Sequence, residues 1–514
     1  MKSSTRFQLS FMMFIEFFIW GSWFVTLGPF LASNFPDADG GAVAKVFSTQ
    51  SWGAILAPFI IGLIADRYIN AERILGILHL LGAFLMYQMY NAESISVFYP
   101  YVLGYMILFM PTIALVNSVS FNQMKDPEKE FSIIRMLGTV GWIVAGLIIS
   151  YVFFWDSPES TAAGQLKNTF LMAGIASLIL GLYSFTLPKT PPKHKDGKSA
   201  SIKEILGLDA LKLLANRNFA IFFVASILIC IPLAFYYQNA SAYLLNIGVP
   251  KPAGKMAIGQ MSEVIFLILL PLFFKKYGFK KTILAGMLAW CLRYLLFAYG
   301  NAGELSFMII LGIALHGICY DFFFVSGYIY TETKAGEKYK SAAQGLVTLA
   351  TYGVGMLIGF EVAGVISNQY EDKNGAKYAG IEKNDIIVSV NSTPTADSVG
   401  FIDALAKYKE AEKVEIGYVR KGEAKNTIVL LKTFPSNYSN SIKNDPQEKV
   451  GMKINNITSD VTRDQGINSG VIVSKVNTSF NWNMVWFIPA CIALAVFLLF
   501  AVLFKDEKKL TAVK

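Results

Sequence analysis

The chain has 514 residues, 54% hydrophobic and 16% charged, with a formal net charge of +9 and a mean hydropathy of +0.46. Soluble globular chains carry about 25% charged residues, so a water-soluble fold is excluded and a membrane protein is indicated. The basic excess suggests nucleic acid only until its position is read, because most of it gathers in short loops on one side of the predicted spans.

Apolar runs of about twenty residues, long enough for a ~30 Å hydrocarbon core, recur near 7–32, 44–66, 73–91, 97–122, 133–154, 168–187, 218–243, 255–275, 280–299, 304–331, 342–368 and 482–504. The first run exceeds a signal-peptide core and lacks a small-x-small cleavage site, so it reads as a retained helix. Lys2 and Arg6, Arg67 and Arg73, Lys125, Lys129 and Arg135, the lysines of 189–212, those of 275–281 and 334–340, and four after Phe504 share one side. Opposite them the short loops hold only Lys45, Lys167, Lys251 and Lys255. By the positive-inside rule both termini are cytoplasmic and the span count is even.

The four cysteines, Cys230, Cys291, Cys319 and Cys491, fall inside spans with no CxxC spacing, which supports neither a disulfide framework nor a metal site. No P-loop, GxGxxG unit or metal-ligand cluster is evident, so no cofactor, no ATP-driven step and no enzyme activity are expected.

A polar stretch with Pro188, Pro191, Pro192 and several lysines separates six spans from six. Arg67-Tyr68 and Ile74-Leu75 recur later as Lys276-Tyr277 and Ile283-Leu284, and Thr139-Val-Gly141-Trp142 in the fifth span is echoed by Gly353-Val-Gly355-Met356 in the eleventh. The expected fold is therefore an all-α polytopic membrane protein, a 6+6 twelve-helix major facilitator fold, with its site near the midplane between the halves. The expected units are 1–187, a linker 188–217, 218–368, an insertion 370–478, and 480–514.

Ionisable residues within the bilayer are costly and mark function by default. Glu16, Arg135, Glu263, Arg293, Asp321 and Glu361 qualify, with His316 a further titratable group near Asp321. Gln260 and Glu263 are three apart and share one helix face, a pairing that suits hydroxyls and ring nitrogens; alternatively Gln260 bonds a neighbouring helix. Arg135, Thr139 and Trp142 form a stripe able to anchor, hydrogen-bond and stack, unless Arg135 is an interfacial arginine. Tyr236-Tyr237-Gln238-Asn239 reads either as cavity lining or as an interfacial helix end, and Trp20 and Trp23 either as stacking surfaces or as packing. Asp321 lies in an apolar, aromatic stretch, where burial favours the neutral acid unless a cation is close. It reads as a proton carrier or as a permanent partner of Arg135 or Arg293, while Glu16 reads as a second proton site and Glu361 as a packing residue.

Several stretches are more specific: Ile19-Trp20-Gly21-Ser22-Trp23, Ile134-Arg135-Met-Leu-Gly138-Thr139-Val-Gly141, Gly259-Gln260-Met-Ser262-Glu263, Ala289-Trp290-Cys-Leu-Arg293-Tyr and Tyr320-Asp321-Phe-Phe-Phe-Val-Ser326-Gly327. Together they resemble the nucleoside:proton symporter family of the major facilitator superfamily, over roughly 7–368 and 480–508. The resemblance implies substrate contacts at Arg135, Thr139, Gln260 and Glu263, an aromatic at Trp142, amides on the seventh span (Tyr237, Gln238, Asn239), and Tyr320 and Asp321 on the tenth. The resemblance favours Asp321 as a coupling or substrate residue, and Glu263 and Glu16 are read beside it as proton-coupling groups. Gly62-x-x-Ala65-Asp66-Arg67 resembles the superfamily's conformational latch, with Ile69 and Asn70 where the family has Gly and a basic residue.

Between 370 and 478 charges of both signs mix and apolar runs shorten. Strand-like 386–390, 414–419 and 427–431 flank an amphipathic 401–409. Ala379-Gly380-Ile381-Glu-Lys-Asn384-Asp385-Ile386-Ile387 resembles a bacterial PDZ domain, with Asn384 where the family has Gly. Val450-Gly451-Met452 resembles its peptide-carboxylate loop, yet follows rather than precedes those strands, which implies a circularly permuted α/β PDZ-like insertion; one damaged PDZ plus a fragment of another is the alternative.

The expected function is proton-coupled nucleoside uptake by alternating access in a monomer of the bacterial inner membrane, with the insertion outside and open to a peptide partner. A sugar or polyol symporter of the same fold, or a membrane-tethered PDZ-like receptor or scaffold, are the alternatives.

Overall fold

The structure is a computed structural model that describes residues 2–36, 38–60, 69–124, 127–192, 208–458 and 467–505. Asp66 and Arg67, the expected latch, lie outside the described residues.

Ten helical stretches among the described residues are long and apolar enough to cross a membrane. In chain order they give span 1 (Ser3–Asn34), span 3 (Ala71–Tyr90), span 4 (Ile95–Asn122), span 5 (Ile133–Val152), span 6 (Gln165–Ser184) and span 7 (Arg217–Asn246). Pro252–Tyr299 is 48 residues long and breaks at Gly278, whose φ of 75° and ψ of 176° suit only glycine, so it supplies spans 8 and 9. Span 10 (Ser306–Gly336), span 11 (Ala342–Gln369) and span 12 (Trp482–Leu503) follow. Span 2 begins as the helix Gly40–Ile60 and packs against spans 4 and 11. It carries Ser48, Thr49, Gln50 and Ser51, all buried within the bundle. Among the described residues the total is twelve.

The duplicated halves are visible in equivalent packing. A β-carbon on Gly141 of span 5 would collide with the Phe14 carbonyl of span 1, and one on Gly355 of span 11 would lie 2.8 Å from the Ile227 carbonyl of span 7. Spans 1 and 5 thus meet backbone to backbone as spans 7 and 11 do, which is the reason for the small-residue echo in the sequence. Spans 5, 10 and 11 each contain a π-helical segment, at Ile148–Val152, Asp321–Val325 and Leu349–Gly355.

The insertion enters and leaves through a short antiparallel zip, with Asn481 N–H donating to Tyr370 O and Asp372 N–H to Ser479 O, both at 2.8 Å. Its strands are β1 (Ile386–Val390), β2 (Thr393–Pro394), β3 (Lys413–Arg420), β4 (Glu423–Leu430), β5 (Met452–Asn456) and β6 (Val471–Val476). They run in the order β4-β3-β1-β6-β5, with β2 off β1, and enclose a separate core around Ile387, Phe401, Val414, Val429 and Val473. Asn384 stands at φ 74°, a left-handed conformation that Asn tolerates best after Gly. Arg420 grips Asp385 with Nε and Nη2 at 2.7 and 2.6 Å, and these bonds push the guanidinium pKa up.

The chain between β4 and β5 is bolted to the bundle. Asn437 Nδ2 lies within hydrogen-bond distance of the carbonyls of Phe297, Ala298 and Gly300, where span 9 ends. Tyr438 OH donates to Asn246 Oδ1 of span 7, and Ser439 N–H donates to Ile247 O. Phe434 and Tyr438 pack into the core of the bundle, not that of the sheet. Removing a buried amide that satisfies helix-end carbonyls costs about 1–3 kcal/mol. Asn437→Ala is therefore expected to release this anchor, read as faster amide exchange across 433–441 with β1, β3 and β6 unaffected.

Lys432 is 1% exposed and its Nζ donates to Asn477 O at 2.7 Å. Burial pushes its pKa down from 10.5 to about 8. Between those values the folded insertion binds fewer protons than the unfolded chain, so its stability is expected to rise with pH across that window, with the penalty fully present below it. Hydrogen exchange of the insertion against pH checks this, and Lys432→Met is expected to remove that part of the rise.

Candidate functional site

Spans 5, 7, 8, 10 and 11 bring most of the predicted residues to the zone between the halves. Arg135 sits with Cζ 4.2 Å from the Phe17 ring centre, and its Nη1 is buried without a hydrogen-bond partner. Two turns on, Trp142 meets Trp20 edge to face at 5.4 Å, and Thr139 between them is half-buried. Trp23 is fully buried, packed against Tyr105 and Phe170, so it belongs to the packing.

On span 7, Gln238 is 2% exposed and neither of its amide atoms has a partner. Asn239 donates to Ser367 Oγ at 3.3 Å, and Tyr237 rests on Phe24 of span 1. On span 8, Gln260 Oε1 is also buried and unpartnered. Unpartnered buried amides are rare in native folds and call for an explanation.

Glu263 faces His316 Nε2 at 3.8 Å. Arg293 is fully buried, its guanidinium 3.4 Å from the Tyr236 ring centre and its Nη1 3.2 Å from His316 Nδ1. Arginine only donates, so Nδ1 must accept, the imidazole is neutral, and its proton is on Nε2, directed at Glu263. Arg293 is thereby a structural group that fixes a histidine tautomer.

Asp321 opens the π-helical segment of span 10. It is 1% exposed, and its Oδ2 has no hydrogen-bond partner. Among the described residues it makes no ion pair with Arg135 or Arg293, so the permanently paired aspartate is not what the geometry displays. Tyr320, next in chain, bonds Tyr352 OH of span 11 at 2.6 Å. Wide π turns recur at functional sites. Glu361, expected to pack, is instead exposed.

Glu16 is brought into a different group, with His79 Nε2 at 2.8 Å and Thr112 Oγ1 at 2.6 Å. Sequence reasoning missed His79, Thr112 and Tyr352. His79 had a signal, being an ionisable residue within a predicted span, whereas Thr112 and Tyr352 carry none that distinguishes them from ordinary span residues.

The halves are joined at the end that bears the insertion. Asp156 after span 5 accepts from Ser150 Oγ at 2.5 Å and from the Ala253 N–H at the start of span 8 at 3.0 Å. Gly40 N–H at the start of span 2 donates to Asn368 Oδ1 of span 11 at 2.5 Å, and Asn368 Nδ2 lies 3.3 Å from Asp39 Oδ2.

In the insertion, Val450 and Met452 are fully buried and Gly451 is left-handed at φ 75°. The Gly451 N–H already donates to the Gln447 and Glu448 carbonyls, and the Ile454 N–H of edge strand β5 donates to Gln447 Oε1 at 3.1 Å. The edge that strand addition requires is thus partly occupied by the chain itself.

Comparison with known proteins agrees with this architecture. A sequence-family model described as nucleoside H+ symporter matches residues 3–388, and one described as PDZ domain matches 348–431. YegT of Escherichia coli (strain K12) is 41% identical over 367 residues, covering 70% of this chain and 84% of its own. The xanthosine permease of the same strain is 33% identical, covering 70% and 88%. The crystal structure of the nucleoside transporter NupG superposes with a TM-score of 0.63 at 28% identity, covering 71% of this chain and 91% of that one. At 16% identity the peptide-transporter-family protein PepTSo shares the fold, with a TM-score of 0.57. The twelve-span bundle, its polar residues between the halves and these matches together make the chain a member of the nucleoside:proton symporter family.

Proposed function

We propose that this symporter binds its nucleoside between the halves and couples uptake to a proton taken at Asp321. The supporting observation is the buried Asp321 carboxyl without a hydrogen-bond partner on Oδ2. A carboxyl free of committed donors gains and loses a proton without breaking an ion pair. Gln238 and Gln260, unpartnered here, are the groups whose hydrogen bonds a base or ribose would complete, with Asn239 beside them. Trp142 and Tyr237 offer stacking faces, Arg135 and Thr139 bind hydroxyls, and Tyr320 and Glu263 line the tenth and eighth spans.

Both termini are cytoplasmic in this reading, which follows the basic loops, and the insertion is extracytoplasmic on a monomeric protein of the bacterial inner membrane. The Asp156 and Asn368 joins then close the outer mouth, giving an inward-facing carrier. The units are those read from the sequence, 1–187, 188–217, 218–368, 370–478 and 480–514. The insertion is a permuted PDZ whose original ends are joined by the stretch between β4 and β5; what supports this is the place of β6 between β1 and β5.

Labelled-uridine uptake by transport-deficient cells, with and without an uncoupler and with competing sugars, tests the function. Asp321→Asn is expected to abolish uphill accumulation, and Gln260→Ala to raise KM about tenfold, the value of one hydrogen bond of about 1.4 kcal/mol. Unchanged accumulation in Asp321→Asn removes its role, and competition by sugars alone removes the nucleoside.

The edge of β5 is the proposed peptide site, by strand addition, once Gln447 withdraws. Gln447→Ala in the purified full chain is expected to strengthen binding on a peptide array; no binder for either form leaves the insertion without a peptide ligand.

A further inference from the structure

The group around Glu16 lies wholly within the N-terminal half, apart from Asp321. Glu16 of span 1 is fully buried and His79 of span 3 is 2% exposed. Costly placement of an acid and an imidazole in a bilayer core calls for a reason. Their hydrogen bonds supply one, because each partner of Glu16 can either give or take a proton.

Ser177 Oγ lies 2.9 Å from the His79 backbone carbonyl, and when it donates there it accepts from His79 Nδ1 at 3.1 Å. Nδ1 then keeps its proton, and Nε2 alone is left to vary, 2.8 Å from Glu16 Oε2. A neutral glutamic acid donates to a bare Nε2, and a glutamate accepts from Nε2–H; either arrangement holds one proton in the same geometry. Thr112 behaves likewise. Its single hydroxyl proton has two acceptors at 2.6 Å, Glu16 Oε1 and the Phe109 carbonyl. With Glu16 ionised it turns to Oε1; when Oε1 carries the proton it turns to Phe109 O and accepts. A buried carboxylate with a structural role is held by committed donors, as Asp385 is by Arg420 in the insertion. Glu16 has none.

Other charged and titratable groups stand on the elements packed around the pair. Span 4 contributes Tyr105, whose hydroxyl is buried without a partner. Span 5 contributes Arg135, stacked over Phe17, and span 6 Tyr183, which donates to Gln8 O. Glu72 at the start of span 3 is held by the Thr190 N–H and Asn70. None of the hydrogen bonds of the pair goes to a lysine or arginine.

We propose that Glu16 and His79 form a second proton-binding unit, holding one proton between Glu16 Oε2 and His79 Nε2 and exchanging it once per transport cycle in addition to the proton at Asp321. The proton enters when the N-terminal half is open to the outer side and leaves to the inner side, and no covalent bond to any other atom forms or breaks. The proposal rests on the chain being a proton symporter.

The test is the proton-to-nucleoside flux ratio of the purified protein in liposomes with uridine. Glu16→Gln and His79→Gln are each expected to lower the ratio by one proton per nucleoside. An unchanged ratio in both overturns the second unit and leaves symport standing, whereas absence of wild-type proton flux overturns symport itself. Should either variant fail to fold, pH-difference infrared spectra of wild type and Thr112→Val decide. A protonated-carboxyl band that shifts in Thr112→Val is the expected result; a spectrum indifferent to Thr112 overturns the proposal.

Discussion

Hydrocarbon offers no hydrogen bonds, and every polar group inside the spans must find its partner in the protein or remain without one. That constraint sorts the buried polar residues of this chain. Backbone groups are satisfied by helices, and the hydroxyls of Ser22, Thr49, Ser120 and Thr351 return to carbonyls of their own helix. Other buried side chains keep an atom without a partner, among them Gln50, Ser51, Tyr105, Ser241 and Trp290. Gln238, Gln260 and Asp321 retain unpartnered atoms, and Glu16 has only partners that work in both directions. A carrier needs both kinds, open bonds for a ligand that comes and goes and reversible ones for a proton.

Around those residues close helix contacts hold each half together, and further contacts join the two halves. Gly141 and Gly355 allow matching spans of the two halves to meet backbone to backbone, so each half is a packed body. The halves meet at the end that bears the insertion through hydrogen bonds of Asp156, Asn368 and Gly40 and through the packing of span 2 on span 11 and of span 5 on span 8. Alternating access requires that such joins break and reform while the packed bodies stay intact.

The insertion follows the same division. Its sheet has its own core, but Asn437, Tyr438 and Ser439 tie it to spans 7 and 9. It is therefore carried by the C-terminal half. The stretch that does this is the one joining the original ends in the permuted reading, so the joint of the domain is also its mount.

Much of this was readable in the chain. Hydrophobic length identified the spans, because a bilayer demands about twenty apolar residues whatever the neighbours are. The small-residue echo marked equivalent contacts. Intramembrane charges identified Asp321, Glu263 and Glu16. Their partners were another matter. That Asp321 has no ion pair among the described residues, that Arg293 serves His316, and that Glu16 meets His79, 63 positions away, depend on helix rotation and crossing, which local sequence does not encode. Likewise Val450-Gly451-Met452 looked like a vacant carboxylate loop, while the folded chain turns Gln447 back onto the neighbouring edge. By itself the sequence determined which segments enter the membrane, the family and the residues that are costly to bury. Only the tertiary structure decided which of them stand alone, because pairing is a matter of distances between helices far apart in the chain.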